Sequence, residues 1–247
     1  MTSDPTPANS ANQNPDHPFA DQADQRDSAP QYVLPLVVRI ERADPPSHTD
    51  ALETAARAVL VFLTDERVTA PEGEWAEAVA AWEDARIRKV VRRARGGEWR
   101  KAEELPGLTT TGKAAEVRVF PPIPLDAWPK ELAKLQVSGT ELSDDTPPPP
   151  ADPDMPVIWL NPELDMSTGK AMAQVGHAAQ LAWWALPAAD RAIWRADGFP
   201  LAVRTAPASA WPALTTSGLP VVRDAGFTEI APGSCTTVSD HPALRAL

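Results

Sequence analysis

The stretch MSTGKAMAQVGHA, residues 166–178, decides how the second half of this chain is read. A helix beginning near Thr168 places Lys170, Gln174 and His177 at i, i+4 and i+7, so a cation, an amide and an imidazole share one face. The start of that helix, at Gly169, offers unpaired backbone N–H groups and a positive dipole end, both suited to an anionic oxygen. The stretch is no phosphate-cradling P-loop. Leu164 stands where that motif needs a glycine, and Ala171 where Ser or Thr should follow the lysine.

Working outward, residues 157–160 (Val-Ile-Trp-Leu) read as a strand entering the helix at 168–184, and residues 188–195 as a second helical piece. A strand at 201–205, a short helix at 209–215 and strands at 221–222 and 236–239 complete an α/β unit with no long final helix. Between the last two strands runs DAGFTEIAPGSCT, residues 224–236, a glycine-punctuated turn at a strand end, where catalytic side chains are often displayed. Asp224 can orient or deprotonate there, and Thr228 can donate or accept a hydrogen bond.

Upstream, four consecutive prolines (Pro147 to Pro150) forbid helix and central strand, so residues 143–154 read as an extended linker. Residues 30–142 before it carry a strand at 32–40, helices at 51–63 and 75–85, a strand at 87–94, a helix at 98–104, a strand at 117–120 and a helix at 125–135. Residues 1–29, polar and acidic, read as a disordered tail. The two folded parts overlay. A shift of 120 puts Val37-Val38 on Val157-Ile158 and Ser47 on Ser167; a shift of 112 puts Trp99 on Trp211. This self-similarity predicts two related small α/β domains packed together, for each of which the family resemblance below implies a mixed sheet of roughly four strands flanked by helices. Under the 120 shift, Asp50 falls at Lys170, Thr54 at Gln174 and Arg57 at His177, so the first copy lacks the cation, amide and imidazole of that face. Residues 109–113, Thr-Thr-Thr-Gly-Lys, replace its Asp-Ala-Gly block.

Taken together, Gly-Lys-x-x-Ala-Gln-x-x-His-Ala and the later Asp-Ala-Gly-x-Thr-x-Ile-x-Pro-Gly-Ser-x-Thr resemble the type 2 (archaeal and eukaryotic) peptidyl-tRNA hydrolase family. The resemblance covers residues of about 156–240. It implies a mixed four-stranded α/β fold, a tendency to dimerise, and metal-free hydrolysis of the ester joining a peptide to tRNA in translation quality control. Carried over by position, Lys170, Asp224 and Thr228 match that family's catalytic residues, and Gln174 and His177 its supporting helix face. Gly169 and Thr236 are candidate substrate contacts. Phe227 stands where the family often carries a cation. The implied partner is tRNA, and the first half would be a degenerate, non-catalytic copy forming an intrachain pseudo-dimer. Two alternatives stay open: a non-catalytic RNA- or protein-binding module, and an esterase or amidase for another substrate.

The net charge of −11, from 23 basic and 34 acidic residues, argues against a coat protein that holds nucleic acid through overall positive charge. A local patch is compatible with it. Residues 86–101 hold eight bases, including Arg92, Arg93 and Arg95, with Trp99 for stacking on a base; the same run also suits a charged edge strand. One cysteine, Cys235, fits a reducing cytoplasm. No run approaches the ~18 apolar residues of a membrane span, and no spacing suggests a metal site or cofactor.

Overall fold

A computed structural model describes residues 30–224 and 229–245. The expected tail at 1–29 lies outside the described residues, as do Phe227 and Thr228. The β-branched run at Tyr32–Arg39 forms β1, buried on both faces over most of its length. It is the spine of a sheet ordered β2-β1-β4-β3, with β2 (Lys89–Ala94) parallel to β1, and β4 (Glu116–Val119) and β3 (Leu108–Thr111) antiparallel in turn. β5 (Ile123–Pro124) pairs with the start of β1. The second sheet runs β7-β6-β9-β8, built from β6 (Val157–Leu160), β7 (Ala202–Thr205), β8 (Val221–Arg223) and β9 (Cys235–Asp240). Its order and strand senses are those of the first sheet: one parallel pair, then two antiparallel pairs.

Each sheet carries one long helix on its inner face. α1 (His48–Leu63) follows β1, and its N-cap Ser47 Oγ accepts the Asp50 N–H at 3.3 Å. Three shorter helices follow in the first half: α2 (Glu66–Thr69), α3 (Ala76–Ala85) and α4 (Gly96–Glu103). The expected helix at 125–135 shrinks to α5 (Lys130–Ala133). Pro129 is the reason: a proline inside that span removes a helical N–H and clashes with the preceding turn, so the helix starts only after it. In the opposite direction, the Leu-Thr-Thr-Thr run at 108–111 is a strand that hydrophobic periodicity did not reveal, because its residues are only partly buried or exposed.

In the second half α6 (Thr168–Ala185) repeats the entry of α1, with Ser167 Oγ capping the Lys170 N–H at 3.2 Å. α7 (Ala188–Ala196) and α8 (Trp211–Thr216) follow, and a 3-10 turn at Pro242–Leu244 comes last. Among the described residues no helix is long and apolar enough to cross a membrane.

The long helices α1 and α6 pack on one another, and a single apolar core runs through both halves, from Leu34 and Val59 to Val175 and Val222. At Gly176 the approach is close: a Cβ there would sit 3.1 Å from Val59 Cγ2 and 3.3 Å from Lys89 Cδ. The helix starts also meet, with His48 Nδ1 and Thr168 Oγ1, 120 positions apart, 3.1 Å from each other. Glu53 of α1 reaches β7, accepting from Arg204 Nη1 at 2.8 Å and from the Val203 N–H at 3.2 Å. Residues 143–154 form no helix or strand but are tied down: Asp144 accepts from Thr49 N and Oγ1 at 2.9 and 2.6 Å, and Pro149 O accepts from Arg204 Nε at 2.8 Å. A small second core holds Trp99 in the first half, and another holds Trp211 in the second.

Candidate active site

At the start of α6, Lys170 projects toward Asp224, the residue that follows β8. Lys170 Nζ donates to Asp224 Oδ2 at 2.6 Å, and the two side chains are only 12% and 8% exposed. One turn on, Gln174 Nε2 donates to the same oxygen at 2.9 Å. The amide's orientation is set from behind, since Thr236 Oγ1 on β9 donates to Gln174 Oε1 at 2.6 Å. A directed chain results: Thr236 hydroxyl to Gln174 amide to Asp224 carboxylate, met from the other side by the Lys170 ammonium. Asp224 is also tied into its turn by backbone bonds, its N–H donating to Ser234 O at 2.9 Å and its carbonyl accepting from Gly233 at 2.7 Å.

The sequence-derived site thus divides. Lys170, Asp224 and Gln174 come together. Thr236 joins them as a fully buried backing residue, which corrects its reading as a substrate contact. Thr228 lies outside the described residues. Glu229, just beyond it, accepts from the Ser167 hydroxyl at 2.8 Å and from the Ser167 N–H at 3.1 Å, joining this loop to the start of α6.

His177 faces a group from the other half of the chain. Its Nδ1 lies 3.2 Å from Nζ of Lys89 on β2, and Lys89 also donates to Gln180 Oε1 at 2.5 Å. Gln180 Nε2 donates in turn to Glu83 Oε1 at 3.4 Å, and Lys89 Nζ lies 4.8 Å over the Trp82 ring. Burial pushes the Lys89 amine well below the usual lysine range, with Glu83 opposing. His177 is pushed well below the usual histidine value by burial and then by Lys89 and Lys170, so it is neutral at neutral pH. Burial raises the Glu83 carboxyl, against Lys89 and the Gln180 bond. Sequence reasoning missed Lys89, Gln180 and Glu83. A signal existed: on β2, Lys89 is in phase with the core residue Val91 and so points to the same face.

These groups line one cleft of about 810 Å³ between the halves, with Gly169, Lys170, Gln174, His177 and Asp224 on one side and Glu83, Lys89 and Val137 on the other. That volume is in the range of small-ligand sites.

The basic run is used differently from an open patch. Arg92 Nη1 donates to the Ala133 and Leu135 carbonyls at 3.1 and 2.6 Å, and its guanidinium lies over Trp128. Arg93 donates to the Gln136 side chain, and Arg95 is exposed at the N-cap of α4. Trp99 is 2% exposed, packed with Val37, Phe120 and Leu132, so it offers no ring face to a base. That corrects its reading as a stacking platform.

In the first half, Asp50 stands where α6 carries Lys170. Its carboxylate accepts three backbone N–H groups, from Lys113 at 2.9 Å and from Ala114 and Ala115 at 2.7 Å each. Gly112 is required there, because a Cβ would lie 2.1 Å from Thr54 Oγ1 and 2.4 Å from Asp50 Oδ1. The loop is held by backbone groups rather than by a cation–carboxylate pair.

Residues 155–246 match the family described as Peptidyl-tRNA hydrolase PTH2. The match spans Lys170, Gln174, His177, Asp224 and Thr236. No curated protein matches the chain.

Proposed function

We propose that this chain hydrolyses the ester bond of peptidyl-tRNA, releasing peptide and free tRNA. The observation that carries the reading is the nearly buried Lys170–Asp224 pair at 2.6 Å, backed by Gln174 and Thr236 and opening on the cleft. Buried ion pairs are poor stabilisers because desolvation offsets their attraction, so packing alone gives no reason to keep one here.

In the proposed reaction, water adds to the ester carbonyl and charge grows on its oxygen. The Lys170 ammonium supplies fixed positive charge for that oxyanion, in a site where low exposure strengthens the interaction. Asp224 holds Lys170 in place and takes a proton from the attacking water. Collapse of the tetrahedral intermediate breaks the bond to the ribose oxygen, which takes the proton held by Asp224 and leaves as a hydroxyl, while the new peptide carboxyl loses its proton to solvent and leaves as a carboxylate. Thr228 is assigned a hydrogen-bonding role by its place in the motif.

The same reading makes the first half a diverged, non-catalytic copy acting as a covalent partner. The matching strand orders, the paired N-caps Ser47 and Ser167, and the contact of His48 with Thr168 support it. Asp50, bound to backbone N–H groups where the second half has its lysine, supports the loss of catalysis. Cytoplasmic tRNA is the proposed partner.

The test is release of N-blocked amino acid from N-blocked aminoacyl-tRNA by the purified chain and by Lys170→Ala and Asp224→Ala. Release is expected from the wild type and not from either folded variant. A wild type that releases nothing, or variants that release at its rate, would overturn the assignment.

A further inference from the structure

Of the four large apolar side chains exposed in the described residues, three line the same cleft as Lys170: Leu125 at 42%, Val137 at 49% and Trp184 at 41% exposure. Two of these come from the first half. Val137 adjoins the start of α6, its carbonyl oxygen 3.7 Å from where a Gly169 Cβ would be. The α6 face changes character along its length. Lys170, Gln174 and His177 are followed at the same helical phase by Leu181 and Trp184, both lining the cleft. At 1.5 Å per residue, Lys170 and Trp184 are about 20 Å apart along the axis, the span of roughly six extended peptide residues.

We propose that the first half supplies the binding wall for the acyl part of the ester, so that the peptide lies along α6 with an apolar residue next to the ester against Leu125 and Val137. The inference rests on the hydrolase reading and adds to it the substrate class: esters of peptides or N-blocked amino acids with large apolar side chains. A cleft of 810 Å³ holds a few residues, not a folded partner. Leu125 and Val137 are specificity residues here, apart from the polar machinery, and their exposure lets them be changed without opening the core.

The experiment compares N-acetyl-phenylalanyl-tRNA with N-acetyl-glycyl-tRNA as substrates for the full chain, Leu125→Asp/Val137→Asp, and the control Ile193→Asp, which alters an exposed apolar residue outside the cleft. The double variant is expected to lose about tenfold in kcat/KM on the phenylalanyl ester, through KM, and less than about twofold on the glycyl ester. Ile193→Asp should change neither. Equal loss on both esters, or no loss, overturns the inference while leaving the hydrolase assignment intact. If the wild type cleaves neither ester, the hydrolase reading falls, and binding of N-acetyl-phenylalaninamide against N-acetylglycinamide decides the wall. Selective binding abolished in the double variant supports it; unselective binding overturns it. Sedimentation showing a wild-type dimer broken by the double variant would also overturn it, by making the wall a surface for a second copy.

Discussion

Replacing Lys89 with Met tests the strangest group in the cleft. The lysine comes from an edge strand of one half and ends 2.5 Å from Gln180 and 3.2 Å from His177 of the other, with 8% of its surface exposed. Its folded-state pKa is depressed by burial, while in the unfolded chain it titrates near 10.4. Between those values the unfolded state binds the extra proton, so stability rises with pH, by at most about 1.4 kcal/mol per pH unit. From about pH 7.5 to about pH 9.5 this one residue therefore contributes up to roughly 2.7 kcal/mol of pH-dependent stability. Lys89→Met keeps the length of the side chain and removes the titration. The other titrating groups facing Lys89 are His177, whose value burial lowers, and Glu83, whose value burial raises. Groups common to both proteins cancel in the difference. Urea denaturation at the two pH values should show the wild type gaining on Lys89→Met by up to about 1 M in midpoint, for a slope near 3 kcal/mol/M. A difference that stays flat across the window would mean the ammonium is charged in the folded protein, and the account of its burial would be wrong.

Thr236→Val removes the hydroxyl that orients Gln174 and leaves a buried amide oxygen unpaired; kcat for N-blocked aminoacyl-tRNA should fall about tenfold with KM unchanged, at a stability cost of about 1–3 kcal/mol in a denaturant titration. Gly176→Leu forces side-chain carbon into Val59 and Lys89 where the long helices cross, and should lower stability by about 1–3 kcal/mol and reduce hydrolysis by separating the cleft walls. Asp50 is held below the usual carboxylate value because its three backbone N–H bonds outweigh the effect of burial. Its contribution is present above the unfolded value near 3.9 and lost as pH falls through the lower folded value, so Asp50→Asn should flatten the acid limb of the stability profile. Because one core runs through both halves, calorimetry of the full chain should show a single cooperative transition, whereas two resolved transitions would contradict that continuity.

The sequence alone determined the α/β class and the position of the long helix beginning at Thr168, through helical spacing and capping, which act over a few residues. That this helix and the Asp224 turn belong to one site was an expectation of the family resemblance, carried by two motifs whose order is visible along the chain. The sequence also showed which half lacks the lysine, glutamine and histidine of that helix face, since Asp50, Thr54 and Arg57 occupy their positions. Where local signals conflicted or were weak, the reading stopped short. Pro129 cut back a helix that apolar spacing favoured, and the threonines of Leu108–Thr111 form a strand whose pattern has no apolar alternation to find. Only the tertiary structure decided the fate of side chains whose partners lie far away along the chain. Lys89 sits in a run of bases that reads as a surface patch, yet strand phase and the approach of α6 turn it inward. Trp99 lies in the same run and is core. Trp184 is far along the chain from Leu125 and Val137 and shares a cleft with them because the two halves pack together. Periodicity tells which side of an element is apolar; what covers that side is set by packing across more than a hundred residues of chain.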